Sequence, residues 1–424
     1  MAARRDLFNE LPQETRLQIF RLATIKPSQT EDTRAEYRPF DAVALGDRDW
    51  SHSNQIALRV KATIVLVCKE WKALATEMLY ECIRIRHGTH NLLSALESTR
   101  YSNPDPAGVK VEYDYGRWVR RIEVSSEIRD FDPLNPYPLL RIIQCCPFVQ
   151  TIVRLYHVIS LGPVRLSPGT LFPKFPSIRR IDWWLSGIAS QNFRTVAGGI
   201  CGFFGQLIAH SPALDYLTLS GGSASFLSPR ISADPFGGAS EPFNSLTTLR
   251  LEGGGAESII VPESMPPLPN LTRLILGGVY ASTIKVLERY GHQIRVFEFL
   301  VIHSFMPLFD RHRDTDPLTT GDVLKACPNL EELNLRLGST PLSDNRITVV
   351  PIPLNSLRSI RIQLDHSPTP GVGDFIRKYV RCPVLERIVL CGGTRQAWEE
   401  NPVFPILEKY ISENRYLSLE FQES

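Results

Sequence analysis

Cys327-Pro328-Asn329-Leu330-Glu331-Glu332-Leu333-Asn334-Leu335 decides how this chain folds. Apolar side chains stand at 330, 333 and 335, so the end of the stretch alternates in the way of a strand with one buried face. Pro328 bars any helix before it from continuing and turns the chain toward an extended path. The same spacing recurs as Val119-Ile122-Val124, Ile178-Ile181-Trp183, Leu214-Leu217-Leu219, Leu246-Leu249-Leu251 and Leu271-Leu274-Leu276. It continues as Ile294-Phe297-Phe299, Leu357-Ile360-Ile362 and Leu385-Ile388-Leu390, with a degraded copy starting at Val149. Starts are separated by 23 to 36 residues, the range in which a recurring pattern means a stacked array.

The lead-in recurs too. A proline stands two residues before the first apolar position at Pro147, Pro176, Pro212, Pro269, Pro328 and Pro383. Helix-like stretches precede several of them: Leu139–Cys146, Phe203–His210, Val323–Cys327 and Phe375–Cys382. The unit therefore reads as a helix, a tight turn and a short parallel strand. One such unit cannot bury its apolar face alone, so neighbours must stack. Leu79–Ile85 is expected to give the first strand and Leu417–Phe421 a last, capping one. Loops at 220–243, 303–320, 338–353 and 365–373 are candidates for ligand contact.

Two short apolar-striped segments lie ahead of this array. The first runs Leu11-Pro12-Gln13-Glu14 to Ile19-Phe20, with Pro12 and Glu14 suited to a first helical turn. In the second, Ile64, Val67, Cys68, Trp71, Leu74, Ala75 and Met78 fall at helical spacing and predict one continuous apolar face. Residues 26–60 between them are polar and read as a solvated insertion.

Leu-Pro-x-Glu, Ile-Phe, Val-Cys-x-x-Trp and Leu-Tyr-Glu-x-Ile-x-Ile, in that order over residues 6–85, resemble an F-box of the fungal type. The resemblance implies docking on a Skp-type adaptor, and through it on a cullin–RING ubiquitin ligase, by Leu11, Pro12, Ile19, Phe20, Val67, Cys68 and Trp71. The array at 86–424, with its Cys-Pro-x-Leu-x-x-Leu-x-Leu copies, resembles an irregular leucine-rich-repeat solenoid. The expected fold is α/β: F-box-like helices, then a curved parallel sheet with helices and loops outside it.

Alternation sends the variable strand positions to the inner face of such a sheet. Arginines outnumber acids there by ten to seven, and a guanidinium fork suits a carboxylate or phosphate. Arg120, Arg121, Arg179, Arg180, Tyr216, Arg250 and Arg273 are the candidate target-binding residues, with an acidic or phosphorylated peptide as the expected guest.

Composition excludes several classes. A net charge of +2 on 424 residues predicts no strong attraction to nucleic acid or an anionic membrane. No apolar run is long enough to span a bilayer, and Met1–Leu7 lacks the core of a secretory signal. Eight cysteines without a Cys-x-x-Cys spacing point to a reducing compartment, cytoplasmic or nuclear. Gly198–Gly205 lacks the Lys-Ser/Thr of a phosphate loop. His87 and His90, and His303 and His312 near Asp310, Asp314 and Asp316, do not complete a metal set. No catalytic residues, metal or cofactor are expected. The chain reads as a non-catalytic receptor that holds adaptor and target together. The alternative is a repeat-based interaction module uncoupled from ubiquitination.

Overall fold

The computed structural model describes residues 8, 10–24, 37, 39–40, 47–85, 89–100, 115–124, 137–154, 172–183, 206–220, 243–252, 267–277, 281–299, 325–337, 355–364, 382, 384–392, 394–400, 404–414 and 416–422. The protein is α/β, and within each of its compact units every strand is parallel to its neighbours and hydrogen-bonded to them in chain order, β1 to β4 in one and β5 to β12 in the other. It divides into two compact units, Met1–Glu36 with Val43–Leu214, and Tyr37–Ala42 with Asp215–Ser424. The sequence reading placed a division at 85/86.

The first unit holds helices α1 (Gln13–Thr24), α2 (Asp47–Val67) and α3 (Lys69–Tyr80), then β1 (Cys82–Ile85) and α4 (Thr89–Arg100). It continues with β2 (Arg121–Val124), α5 (Tyr137–Gln144), β3 (Thr151–Arg154) and β4 (Arg180–Trp183). The second unit holds β5 (Tyr216–Ser220), β6 (Thr248–Glu252), β7 (Arg273–Leu276), α6 (Ala281–Tyr290), β8 (Val296–Phe299), β9 (Glu332–Leu337) and β10 (Ser359–Leu364). β11 (Arg387–Cys391), α7 (Arg395–Glu399), α8 (Phe404–Glu413) and β12 (Ser418–Gln422) complete it.

Each of the nine apolar triplets carries a strand that starts two residues after its first member, and the degraded copy at Val149 carries β3. The lead-in is one repeated turn. The amide of the first apolar residue donates to the carbonyl three residues back, as Val149 to Cys146 (3.2 Å), Leu214 to Ser211 (3.1 Å) and Leu330 to Cys327 (3.2 Å). The next two amides then fork onto one carbonyl of the preceding repeat. Glu331 and Glu332 both donate to Arg295 (2.8 and 3.0 Å), and Arg358 and Ser359 both donate to Glu331 (2.9 and 3.1 Å). A side-chain rung runs beside it: Ser177 Oγ donates to Pro147 (2.8 Å), Asn329 Nδ2 to His292 (2.6 Å) and Ser356 Oγ to Pro328 (2.8 Å).

The apolar triplets form the spine. Leu214, Leu246, Leu271, Ile294, Leu330 and Leu357 are wholly buried. Burial of such a side chain is worth roughly 1.5–3 kcal/mol. Behind the strands of the first unit, α4 packs on α5, burying Leu96, Leu139, Ile142 and Ile143. The helix expected at 375–382 falls almost wholly outside the described residues, whereas α6 lacks the proline lead-in and carried no such signal.

The apolar face expected to run unbroken from Ile64 to Met78 is two helices. Cys68 is extended (φ −158°, ψ 170°), and its Sγ caps α3 by accepting from the Trp71 amide at 3.4 Å. The polar insertion is also shorter than expected, because α2 begins at Asp47. α3 joins the strands through one carbonyl: Glu81 O takes the amides of Arg120 (2.9 Å) and Arg121 (3.1 Å), the same fork that recurs on Arg120, Gln150, Asp215, Thr247, Thr272, Arg295, Glu331 and Arg358. The helices α1–α3 and the strands β1–β4 lie in the same compact unit.

A close approach between repeats falls at Gly291, where an added Cβ would run into the carbonyl oxygen of Ala326. Gly291→Ala is expected to force α6 and the next repeat apart and to cost about 1–3 kcal/mol. Urea unfolding followed by circular dichroism measures it; an unchanged midpoint contradicts the close approach.

Candidate functional site

Two surfaces carry the sequence-predicted positions. The first is the helical bundle. Phe20, Ile64, Leu74, Ala75 and Met78 make its core, with Phe8, Leu17, Val60, Val65 and Trp71 packed against them. Phe8, Phe20 and Trp71 form an aromatic triangle with centroids 4.9–5.6 Å apart. Arg16 on α1 pairs with Glu70 on α3. Of the expected adaptor contacts, Phe20 is therefore spent inside and Trp71 half-buried. Leu11 is half-buried, while Pro12 and Cys68 are exposed. Ile19 (39%) and Val67 (55%) are exposed, and so are two residues the sequence had not singled out, Leu22 (71%) and Leu66 (83%). Ile19 and Leu22 are three apart on α1 and share one helix face.

The second surface is the inner face of the strands. Its central row is buried rather than solvated: Glu123, Val153 and Asp182 in the first unit, and Thr218, Arg250, Ile275, Glu298 and Asn334 in the second. In the first unit the expected anion-binding arginines are already engaged. Arg121 Nε meets Glu123 Oε1 at 2.7 Å, and Arg180 Nε meets Asp182 Oδ2 at 2.8 Å. Burial pulls the Arg121 guanidinium down, and Glu123, Cys82 and Asp182 together more than offset it, holding it above its ordinary value. Arg120 donates to the carbonyls of Arg117 (2.6 Å) and Val119 (3.3 Å), so it fastens a turn. Arg179 is exposed beside the strand, not in it. These pairings do not favour the acidic guest expected from composition.

Tyr216, Arg250 and Arg273 stand on three consecutive strands of the second unit, β5, β6 and β7, with Tyr216 and Arg273 in one register row and Arg250 in the row two residues on. What covers them was not foreseen. Tyr37, from the supposed solvated insertion, packs against Tyr216 and Ile275. The Arg273 guanidinium lies 5.4 Å from its ring centroid. The Tyr37 hydroxyl donates to Glu298 Oε2 at 2.7 Å and accepts from Asn334 Nδ2 at 2.8 Å. The Phe40 amide donates to the same carboxylate oxygen at 3.2 Å. Burial first, then Glu298, pushes the phenol's pKa far above the tyrosine range and keeps it a donor. Phe40 sits at φ 60°, after Pro39, in a left-handed turn position that favours glycine. The available signal was two aromatics flanking a proline in a polar stretch.

Beside this cover, Glu332 accepts from Arg361 Nε (3.1 Å) and Asn334 Nδ2 (3.1 Å). Among the described residues no group of three or more His, Cys, Asp or Glu is placed to hold a metal. No helix among them is long and apolar enough to cross a membrane. His90 is exposed on α4; His87, His303, His312 and the glycines at 198–205 and 253–255 lie outside the described residues. No known family model matches the chain, and no curated protein is significantly similar to it.

The thiols of Cys145, Cys146, Cys327, Cys382 and Cys391 are buried and outside any disulfide, whereas that of Cys68 is exposed. Burial pushes Cys327 up to about 12 and Cys382 up to about 11. Since the thiolate is the nucleophile, Cys68 is expected to take up iodoacetamide at pH 8 well before these two. Timed labelling with peptide mass spectrometry reads the order; equal rates would contradict the packed turns.

Proposed function

We propose that this chain is the substrate-receptor subunit of an SCF-type ubiquitin ligase. It docks a Skp-type adaptor through α1–α3 and holds a target protein on its strands. The single observation that supports this most is the division of labour in the bundle. Phe20 and Trp71 hold three short helices together, while Ile19, Leu22, Leu66 and Val67 are left outward without apolar cover. Scattered apolar residues are normal on a surface, but six on so small a bundle, these four with Ile56 and Leu58, fit a docking face. The mechanism is positional: the receptor raises the effective concentration of target beside the ligase, and performs no covalent step itself.

The inward turn of Phe20 favours a second reading, a repeat-based interaction module uncoupled from ubiquitination. In that case Phe20 and Trp71 serve only the bundle. The two readings part on capture by purified Skp-type adaptor. Leu66→Ala with Val67→Ala is expected to weaken capture at least tenfold while leaving the thermal melt unchanged. Phe20→Ala is expected to cost about 3–5 kcal/mol of bundle stability instead. Undiminished capture by the double variant removes the assigned face, and no capture by the native chain removes the ligase reading.

A further inference from the structure

The contacts of Tyr37 have the character of a ligand in a site. They reach across 261 residues of sequence to Glu298, from a segment that belongs to no repeat. The groups that receive it are set by the sheet itself: β7, β8 and β9 are in register through their own backbone bonds, placing Ile275, Glu298 and Asn334 side by side. β2 and β4 meet their buried carboxylates with an arginine two residues upstream, Arg121 and Arg180. β8 has Val296 at that position, and Glu298 takes the Tyr37 hydroxyl and the Phe40 amide from outside the repeats. The guest also holds a conformation that the dock must maintain. Phe40 at φ 60° is in a left-handed conformation that its amide bond to Glu298 helps to hold.

We propose that the inner face of β5–β9 is a binding site for a tyrosine-bearing turn with an unmodified hydroxyl, and that the turn carrying Tyr37 and Phe40 occupies it in cis, in competition with such a turn on a target protein. The chemistry defines the guest. Its hydroxyl must donate to a carboxylate and accept from an amide, which a phenol does and a phenylalanine does not. A phosphate there would set about two negative charges against Glu298 and Glu332. This inference rests on reading the inner face as the target surface, and does not depend on adaptor docking. An internal segment has an effective concentration in the millimolar range, so a free guest at micromolar concentration loses to it.

The test uses the full chain and a fluorescein-labelled synthetic peptide of residues 35–42, read by fluorescence anisotropy. Tyr37→Ala is expected to bind the peptide at least tenfold more tightly than the native chain. Adding Glu298→Gln is expected to reverse at least fivefold of that gain, and the tyrosine-phosphorylated peptide is expected not to bind. Equal, weak binding by native and Tyr37→Ala chains with matching melts overturns the proposal. Loss of the cooperative melt in both Tyr37→Ala and Tyr37→Phe overturns it too, because the turn is then a strut of the fold. Adaptor capture, measured on the same variants, is expected to stay at the native level, so failure of the ligase reading shows separately from failure of this one.

Discussion

One carbonyl per repeat, accepting two consecutive amides of the next repeat, is the constraint on which the strands depend. It occurs from Glu81 O onward, through Arg120, Gln150, Asp215, Thr247, Thr272, Arg295, Glu331 and Arg358. The fork fixes where each strand begins relative to its neighbour, and a parallel strand slipped by one residue would turn its spine outward. Because register is set at this point, the rest of each unit is free to change length. Starts 23 residues apart and starts 36 residues apart enter the same ladder. The turn before the fork serves it by delivering the amides at the right place, which Pro does by removing helix as an option and Ser or Asn does by bonding the previous turn.

The ladder explains what was legible in the sequence. Spacing of three then two is a direct record of strand register, so ten strands were readable from apolar positions alone, even at Val149. The break at Cys68 was not readable, since Ile64 and Leu74 both face the bundle core from two different helices and mimic a single stripe. Nor was the use of Phe20 and Trp71. A stripe says that a residue is buried, not whether its own chain or a partner buries it. Tyr37 was hidden for a related reason: a side chain that docks 261 residues away leaves no periodic trace.

The inner face divides into two rows with different chemistry. The row beside the fork, with Arg295–Glu331 at 3.3 Å and Arg358–Glu386 at 3.7 Å, holds ion pairs whose partners are both largely exposed. Such pairs are worth at most about 1 kcal/mol and leave a face free to exchange partners. The central row is buried, so each polar group in it needs a partner of fixed geometry. Counting arginines across both rows, as composition invites, merges a solvated edge with a sealed centre. That is why an acidic guest looked plausible from sequence and why Arg121 and Arg180, each met by a carboxylate two residues on, do not support it.

Arg154 shows how far one repeat is written in the next. It occupies the third apolar position of its copy, in register between Val124 and Trp183, where a cation would ordinarily be costly. Burial lowers it to about 10, which still leaves it charged at neutral pH. Its guanidinium lies 5.4 Å from the Trp183 ring centroid, and Trp183 is the third-position residue of the following repeat. A tryptophan face is among the few apolar surfaces that a guanidinium favours, and it does so more strongly as water is excluded. The defect in one copy is thus answered by the residue chosen in its neighbour. In a stack held by nearest-neighbour contacts, that is the only distance over which such an answer needs to act.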